Sequence, residues 1–364
     1  MDLSVNVLRC AARRRLVGAA RWLTTPLLPG DYLGYVNPLW STRSRRGRVE
    51  AVLPETADSA TLWIRPGLDW VAHRPGQYVR VGVEVDGVRH WRTYSLTSVP
   101  ARVDGRISIT VKVVPDGVVS TQLVRRAARG TIVWLAPPAG EYVLPEPAPS
   151  RLLFVTAGSG ITPVMGMLRD LLARDALPEV ALVHIAPTRD AVIFGTELRR
   201  LARRHAGVRL HEHHDAVEGR FEARMLDAIC PDWRSRPTWA CGPPGLLDAL
   251  TDHWATTGDP ERLHIERFRP VVAAAGAVGA GGRVRFSVSG REVDADGATP
   301  LLIVGEQAGA LLPCGCRMGI CHSCVGRLRS GAVRDLRTGE LRDEEGELVR
   351  TCVSAAAGPV EIEL

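Results

Sequence analysis

Apolar and polar positions alternate in short segments between residues 46 and 144, with Gly, Pro and Asp between the segments. Alternation with a period of two is typical of half-buried β-strands, and the intervening residue types are typical of turns. Six such segments predict an antiparallel β-barrel capped by one helix. The predicted strands are Arg48 to Leu53, Ala60 to Ile64, Gln77 to Val85, Arg89 to Leu96, Ile107 to Val114 and Thr131 to Leu135, and the predicted helix is Ser120 to Ala128.

Between residues 151 and 268 the pattern changes to buried-type apolar runs that alternate with amphipathic stretches of helical period. This rhythm predicts a parallel, doubly wound α/β sheet. The predicted strands are Leu152 to Val155, Val180 to Ile185, Val208 to His211, Thr238 to Cys241 and Leu263 to Ile265. The predicted helices lie near Val164 to Arg174, Gly195 to Arg204, Phe221 to Ile229 and Gly245 to Trp254.

A low-complexity stretch of Ala, Val and Gly at residues 270–282 predicts a flexible tether. After it, Val284 to Val288 and Arg291 to Val293 predict a β-hairpin turned at Ser289-Gly290. The predicted parts of the chain are a partly helical extension at 1–45, the barrel at 46–147, the α/β domain at 148–269, the linker at 270–282 and a C-terminal domain at 283–364.

The N-terminal extension contains an arginine-rich stretch of helical pattern, Leu8 to Leu23. We prefer the interpretation that this helix packs on the barrel, and a basic amphipathic helix at a membrane surface or partner is the alternative. No apolar run is long enough to span a membrane, and the first residues lack the apolar core of a signal peptide. We therefore expect a cytoplasmic protein. If the basic helix binds a membrane surface instead, the protein would lie peripherally at the inner face of the membrane.

The 364 residues carry a formal net charge of +6, and that charge is uneven. From residue 283 onward the chain has 10 basic and 12 acidic residues, whereas the rest is basic. A nucleic-acid-binding protein would concentrate basic residues on one face. The mild asymmetry argues against nucleic acid as a partner.

Four of the eight cysteines have a spacing typical of plant-type [2Fe–2S] proteins. Cys316, Cys321 and Cys324 form a C-x₄-C-x₂-C loop with Gly319 inside it, and Cys352 stands alone further on. Glycine lets a loop backbone come close to a cluster. A structural zinc site usually pairs C-x₂-C with a second close pair, and a disulfide framework belongs to small secreted domains. The spacing therefore favours a [2Fe–2S] cluster over both alternatives.

Arg92, Thr93, Tyr94 and Ser95 end the fourth predicted strand of the barrel. A guanidinium suits a pyrophosphate, while a planar ring and a hydroxyl suit the isoalloxazine of a flavin. Such residues are also common on the half-buried face of a sheet, so the tetrapeptide alone leaves both interpretations open. We also take Lys112, near the end of the fifth predicted strand, as a candidate cofactor-binding residue.

A second candidate phosphate site is the start of the predicted helix in the barrel, where Gly117 precedes Ser120 and Thr121. We predict Ser120 as the N-cap. Free backbone amides at a helix N-terminus bind phosphate. A capped helix without a ligand is the alternative.

In the α/β domain, the turn from Thr156 to Pro163 follows the first predicted strand and leads into a helix. Glycines there let the backbone approach a pyrophosphate, and proline suits a first helical turn. The turn is not a full G-x-G-x-x-G sequence, because proline replaces the third glycine. We predict a nucleotide-binding loop with Gly158, Gly160, Thr162 and Pro163 as its candidate residues.

Two further strand ends of this domain carry candidate residues. Cys241 opens a tight turn with Gly242 and Pro243, and ligands bind at such carboxyl edges, although a buried structural cysteine is the alternative. Arg189 follows the second predicted strand, and no acidic residue stands at the tip of that strand. This mildly favours a 2′-phosphate, and so NADPH over NADH.

Taken in this order, the motifs over residues 46 to 364 resemble the ferredoxin–NAD(P)⁺ reductase superfamily of flavoproteins fused to a C-terminal plant-type [2Fe–2S] ferredoxin. The resemblance implies a barrel that binds FAD, an α/β domain that binds NAD(P)H and an α+β (β-grasp) ferredoxin domain. Cys314 departs from the family, which often has tyrosine or serine there, and we expect it to be a non-ligand neighbour of the cluster.

The resemblance also implies residue roles. Ser95, Cys241 and Glu266 would be the catalytic residues around the flavin and the nicotinamide, with Phe268 as the aromatic residue brought near the flavin. The motif residues that would bind FAD and the nucleotide are Arg92, Tyr94, Ser95, Gly117, Ser120, Thr121, Gly158, Gly160, Thr162, Pro163, Cys241, Gly242 and Pro243. The cluster ligands would be Cys316, Cys321, Cys324 and Cys352.

By the same resemblance, the protein would pass electrons from NAD(P)H through FAD and the cluster to an acceptor protein, a non-haem iron oxygenase or a fatty-acyl desaturase. The segment from Leu27 to Trp40 is similar to actinobacterial reductases of membrane-bound acyl-CoA desaturases. Two alternatives stay open. One is a reductase for a soluble aromatic-ring oxygenase or a haem monooxygenase, and the other is a redox-sensing module without fast turnover.

Overall fold

The computed structural model describes residues 33–34, 36–41, 44–85, 87–100, 102–115, 117–268, 279–310, 312–314, 319 and 322–364. Three sheets follow one another within these described residues. The predicted helix Leu8 to Leu23 lies outside the described residues. Within those residues, no helix combines the length and the apolar character needed to cross a bilayer.

The first sheet is an antiparallel barrel. Its strands are β1 (Arg46–Thr56), β2 (Ser59–Pro66), β3 (Tyr78–Val85), β4 (Val88–Ser95), β5 (Ile107–Lys112) and β6 (Ile132–Leu135). They are ordered β4-β3-β6-β1-β2-β5, and a bridge between Leu96 and Ile109 closes the barrel. Alternate side chains such as Val49, Leu62 and Val81 are fully buried inside it, as a period of two requires.

The end of the N-terminal extension packs against this barrel. Pro38–Trp40 form a 3₁₀ turn in which the Leu39 amide donates to Oδ1 of Asn37 at 3.1 Å. Leu39 is buried, and its carbonyl accepts from the Leu68 amide at 3.4 Å.

The second sheet is parallel and has helices on both faces. Its strands are β7 (Arg151–Ala157), β8 (Glu179–Ala186), β9 (Val208–His214), β10 (Thr238–Cys241) and β11 (Leu263–Glu266), in the order β11-β10-β7-β8-β9. After α1 (Val118–Thr121) in the barrel, the helices are α2 (Ile161–Ala173), α3 (Gly195–Arg204), α4 (Asp215–Glu218), α5 (Leu226–Ile229) and α6 (Pro244–Thr257). α2 and α3 share one apolar core with the sheet, and α5 and α6 share the other.

The C-terminal sheet mixes parallel and antiparallel pairs beneath one helix, α7 (Leu301–Gln307). Its strands are β12 (Gly279–Phe286), β13 (Arg291–Gly297), β14 (Val325–Asp335), β15 (Leu341–Arg342), β16 (Leu348–Arg350) and β17 (Ser354–Glu363). β12 and β17 run parallel at the centre, while the other pairs are antiparallel. Leu301 and Leu302 of α7 pack on Phe286 in a single core.

The structure differs from the predicted linker at residues 279–282, which begin β12 instead of belonging to the tether. The physical reason is close backbone packing. Gly281 has φ +62°, and a Cβ on Gly282 would overlap the backbone of Gly358. The glycines that gave the stretch its low complexity are the residues that fit this close backbone packing at the start of β12.

Candidate functional site

The end of β4 brings together the predicted flavin tetrapeptide. Ser95 is buried, and Oγ1 of Thr93 is buried with no hydrogen-bond partner among the described residues. Burial raises the pKa of Tyr94 above its ordinary value, so its ring stays neutral. Arg92 donates from Nη1 to the carbonyl of Trp91 at 2.7 Å. A guanidinium, a neutral aromatic ring and the buried hydroxyl of Ser95 at one strand end are group types that fit a flavin nucleotide.

The predicted N-cap role of Ser120 is wrong, because α1 begins at Val118 and Gly117 is the N-cap. Oγ of Ser120 instead accepts from the Val114 amide and donates to the Gly117 carbonyl, both at 3.2 Å. A Cβ at position 117 would lie 2.5 Å from that hydroxyl oxygen, so the turn requires glycine. The turn is pre-formed, and phosphate binding by Gly117, Ser120 and Thr121 stays a prediction.

Lys112 ends β5 and forms an ion pair with Asp58, Nζ to Oδ2 at 2.6 Å. The bridge between Leu96 and Ile109 sets the ends of β4 and β5 side by side. Lys112 therefore lies on the same end of the barrel as the tetrapeptide. Its pairing with Asp58 offers a structural role, and its cofactor role stays a prediction.

The predicted nucleotide loop is a tight turn between β7 and α2. Gly158 has φ +53°, and a Cβ on Gly160 would overlap the carbonyl of Cys241. Oγ1 of Thr162 donates to the Ser159 carbonyl at 2.9 Å, and Pro163 lies in the first turn of α2. Glycine is required at both positions, at the first for conformation and at the second for close approach. This strand–turn–helix geometry fits a pyrophosphate.

Three polar residues stand side by side at the carboxyl ends of β7, β10 and β11. Cys241 is in register with Thr156 on one side and Glu266 on the other. Burial raises the pKa of Glu266 to about 7. Burial, and then the charge of Glu266, raise the pKa of the Cys241 thiol well above its ordinary value. A carboxyl group that titrates near neutrality at a strand end can hold or release a proton under working conditions.

Tyr142 is a member of this region that the sequence analysis missed. It shares one apolar core with Cys241, and Phe268 packs against that core. Its hydroxyl is buried without a partner in the described part of the chain. Burial, with the charges of Cys241 and Glu266, raises its pKa. The sequence offered one signal for this residue, the turn from Pro138 to Tyr142 at the end of the barrel, to which we had assigned no role.

The barrel and the α/β domain meet at α2. Nη1 of Arg169 donates to the Thr97 carbonyl at 2.7 Å, while its other nitrogens hold Glu197 at 2.6 and 3.0 Å. A Cβ on Gly166 would lie 2.5 Å from the Leu96 carbonyl. The end of β4, where Ser95 lies, is thereby fixed against the helix that follows the nucleotide loop.

The remaining nucleotide candidates lie at other strand ends of the same sheet. Arg189 is exposed and begins a 3₁₀ turn just after β8. Pro243 is the N-cap of α6, and a Cβ on Gly242 would lie 3.1 Å from Cβ of Ala157. β7, β8 and β10 therefore present candidate residues at one edge.

Two of the four predicted cluster ligands are described. Cys324 and Cys352 are buried, while Cys316 and Cys321 lie outside the described residues. The Gly319 amide donates to Sγ of Cys352 at 3.2 Å, and Gly319 has φ +72°. An amide that donates to a cysteine sulfur is what a cluster loop uses to tune its metal centre. The described residues therefore fit the predicted cluster.

Hydrogen bonds tie the cluster loop to the end of β16. Nη1 of Arg350 donates to the Gly319 carbonyl at 2.6 Å, and Oγ1 of Thr351 donates to the Cys324 carbonyl at 2.9 Å. Cys314 is half-buried against the same apolar core. Its role as a non-ligand stays a prediction.

A side-chain contact links the barrel to the cluster loop. Nη1 of Arg80 donates to Oγ of Ser323 at 2.6 Å. Arg80 lies on β3 opposite Thr93 of the flavin tetrapeptide, and Ser323 immediately precedes Cys324. The contact therefore joins the predicted flavin side of the barrel to the predicted cluster.

Three protein families match successive parts of the chain. Residues 67–143 match an oxidoreductase FAD-binding domain, residues 154–252 an oxidoreductase NAD-binding domain, and residues 285–357 a 2Fe-2S iron-sulfur cluster binding domain. These matches confirm the predicted FAD, pyridine-nucleotide and [2Fe–2S] cofactors and the three-domain fold.

Known proteins share this whole arrangement. An NADPH oxidoreductase of Mycobacterium tuberculosis is 51% identical over 349 residues, covering 95% of this chain and 91% of the relative. A glycine betaine monooxygenase reductase subunit of Pseudomonas aeruginosa is 29% identical over 365 residues, covering 90% and 99%. The structure of phthalate dioxygenase reductase has the same fold, with a TM-score of 0.62, 24% identity and coverage of 88% and 97%. The chain therefore belongs to the ferredoxin–NAD(P)⁺ reductase superfamily, among the FAD-dependent oxidoreductases that carry a C-terminal [2Fe–2S] domain.

Proposed function

We propose that this protein is the reductase component of a two-protein system and delivers electrons from NAD(P)H to a separate non-haem iron oxygenase or fatty-acyl desaturase. The observation that carries the proposal is the contact of Arg80 with Ser323, because it sets the cluster loop against the flavin strand. When bound, FAD accepts an electron pair from the nicotinamide, and the cluster hands electrons on singly. The protein supplies position, charge and exclusion of water.

Binding of the cofactors is assigned to the residues at the strand ends. Arg92 would neutralise the flavin pyrophosphate, and the turn at Gly117 would receive the second phosphate through backbone amides. The turn from Gly158 to Pro163 would receive the pyrophosphate of the nucleotide. The four thiolates of Cys316, Cys321, Cys324 and Cys352 would hold the cluster.

The reacting groups would be oriented by Ser95, Cys241 and Glu266. The buried hydroxyl of Ser95 is a donor for the flavin ring. Cys241 stays a neutral thiol because burial raises its pKa, so it presents a small, uncharged wall to the nicotinamide. Glu266, with a pKa of about 7, can hold a proton or a negative charge at this wall. A charge there would favour the positive ring of the oxidised nicotinamide.

NADPH is the proposed electron donor. Arg189 is an exposed guanidinium directly after β8, where the fold binds the adenosine ribose and an arginine meets the 2′-phosphate. The NADPH oxidoreductase of Mycobacterium tuberculosis, at 51% identity, supports the same choice. Arg189→Ala should lower kcat/KM for NADPH and leave that for NADH unchanged, with Arg203→Ala as the matched control.

The proposed acceptor class is supported by relatives that are named as reductase components of monooxygenases. The alternative acceptors are a haem monooxygenase and an aromatic-ring oxygenase. The acceptor protein that restores coupled turnover with this reductase would distinguish them. For a membrane-bound desaturase, residues 1–45 would be the peripheral membrane contact, as their basic amphipathic pattern suits an anionic surface. Co-sedimentation with anionic vesicles, with and without these residues, tests that contact.

The experiment that tests the proposed function is anaerobic stopped-flow absorbance after mixing the holoprotein with NADPH or NADH. We expect the flavin band to bleach first and the iron–sulfur band to follow, with steady electron flow to an artificial acceptor. Slow reduction without turnover would support a redox-sensing module instead. A protein in which neither band responds would end the reductase proposal.

A further inference from the structure

The edge strand of the α/β domain carries histidines and a carboxylate that no part of the electron path uses. Strand side chains alternate between two faces, so His211 and His213 of β9 share a face. The short helix α4 follows β9 directly, and Glu218 at its end lies close to these two histidines. One donor atom from each of His211, His213 and Glu218 lies within 4.8 Å of the other two.

His213 is held in the tautomer that a metal requires. Its Nε2 lies 2.8 Å from the Gly219 carbonyl. A carbonyl oxygen can only accept, so Nε2 carries the proton and Nδ1 keeps a free lone pair. The ring is buried and meets the Phe221 ring edge-on at 5.3 Å. This backbone partner and this packing are what orients a metal-binding histidine in known sites.

Glu218 is fixed by the backbone in a similar way. Its Oε1 accepts from the His214 amide at 2.7 Å, and its Oε2 lies 3.7 Å from Nδ1 of His213. Oδ1 of Asp215 lies 3.5 Å from Nε2 of His213. Two carboxylates beside two imidazoles give the cluster a negative charge, which complements a divalent cation.

We propose that His211, His213 and Glu218 form a binding site for a divalent transition-metal ion of the zinc type, with water as the fourth ligand. Tetrahedral bonds of about 2.0–2.2 Å put donor atoms roughly 3.4 Å apart. His211 is half-buried and Glu218 is exposed, so small side-chain rotations can close the remaining distance. Two nitrogen donors and one oxygen select Zn²⁺, Co²⁺ or Ni²⁺ over Mg²⁺ and Ca²⁺.

The site lies in the α/β domain beside the segment that precedes Arg189. The Ala216 amide of α4 donates to the Pro187 carbonyl at 3.0 Å. A bound ion would tie β9 to α4 and, through this bond, steady the turn after β8. The site therefore differs from the cluster cysteines in both location and ligand chemistry.

The test is equilibrium dialysis of the full-length holoprotein against Zn²⁺, with zinc and iron measured in the same samples by mass spectrometry. We expect one saturable Zn²⁺ per chain and a dissociation constant raised at least about 100-fold in His211→Ala and in Glu218→Gln. Glu218→Gln keeps the acceptor for the His214 amide, so it preserves the local fold. His205→Ala is the matched control, since His205 is exposed at the end of α3. Absence of saturable zinc, equal binding by all four proteins, or uptake matched by loss of iron would overturn the proposal.

Discussion

The bond between Arg80 and Ser323 predicts that one substitution will separate flavin reduction from cluster reduction. Arg80 lies opposite Thr93 in the pairing of β3 with β4. Its guanidinium donates to Ser323 at 2.6 Å and lies 5.7 Å from the ring centroid of Trp91. Arg80→Ala removes the barrel side of this contact and leaves every predicted flavin and nucleotide residue in place.

The size of the effect follows from the bond that is lost. A hydrogen bond with one charged partner contributes about 1.5–3 kcal/mol, and the half-buried setting places Arg80 at the lower end of that range. Since about 1.4 kcal/mol corresponds to a factor of ten, the equilibrium constant for docking of the cluster loop should fall about tenfold. We expect cluster reduction to slow by about the same factor.

Anaerobic stopped-flow absorbance measures both steps in one trace. After mixing with NADPH, Arg80→Ala should bleach the flavin band at the wild-type rate and the iron–sulfur band about tenfold more slowly. Ser323→Ala should have a similar effect, and the double variant should be no slower than either single variant, because the two residues share one bond. Arg74→Ala is the matched control, because Arg74 is an exposed arginine in the loop before β3.

Three results would refute the reasoning. Additive slowing in the double variant would show that the two side chains act separately. An unchanged rate for the cluster would show that the contact does not govern docking. Equal slowing of the flavin step would show that Arg80 supports the barrel itself.

Two further substitutions test the nucleotide edge. Gly160→Ala should raise the Kd for NADPH at least about tenfold with FAD content unchanged, because the new Cβ overlaps the Cys241 carbonyl. Titration calorimetry measures this Kd, and the control is Gly207→Ala, where a Cβ meets nothing closer than 3.8 Å. An equal loss of affinity in the control would contradict the prediction. The pKa of Glu266 is about 7 in the folded protein and 4.5 ordinarily. Between these two pH values the folded protein holds a proton that the unfolded chain releases. The free energy of unfolding should therefore fall as the pH rises through this range. Glu266→Gln should reduce this dependence of stability on pH, measured by thermal unfolding at pH 5 and pH 8. If Glu266→Gln depends on pH as steeply as the exposed control Glu261→Gln does, the result would count against the shifted pKa.

Strand periodicity and strand ends made much of the site predictable. A parallel sheet brings the carboxyl ends of its strands to one edge, so Cys241, at the end of its predicted strand, was expected there, whereas Glu266 came from the family resemblance. The strand order that makes the two residues neighbours is seen only in the structure. The prediction of Cys324 and Cys352 as cluster ligands rests on spacing alone, because a plant-type cluster loop has few other sequence forms.

Local sequence was a poor guide where a backbone contact decides the structure. Ser120 has the side chain of an N-cap, yet its hydroxyl bonds inside the turn and Gly117 takes the cap position. Gly282 has the composition of a linker, yet its missing Cβ admits the backbone of Gly358. Arg80 and Ser323 are 243 positions apart, and no periodicity connects them. These three features could not be predicted from local sequence. Each depends either on a contact with a residue distant in sequence or on a backbone conformation that several residue types permit.

Two buried hydroxyls lie among the residues predicted to bind the cofactors. In the described part of the chain, Thr93 of the predicted flavin tetrapeptide and Tyr142, in the same core as Cys241, have buried side-chain oxygens without a partner. An unsatisfied buried polar group costs about 1–3 kcal/mol, so packing alone would favour apolar side chains at both positions. A ligand that binds only the folded state and satisfies these groups recovers that cost and adds its own binding energy. Binding of FAD beside Thr93 and of a nicotinamide nucleotide beside Tyr142, as proposed above, would recover this cost in the same way.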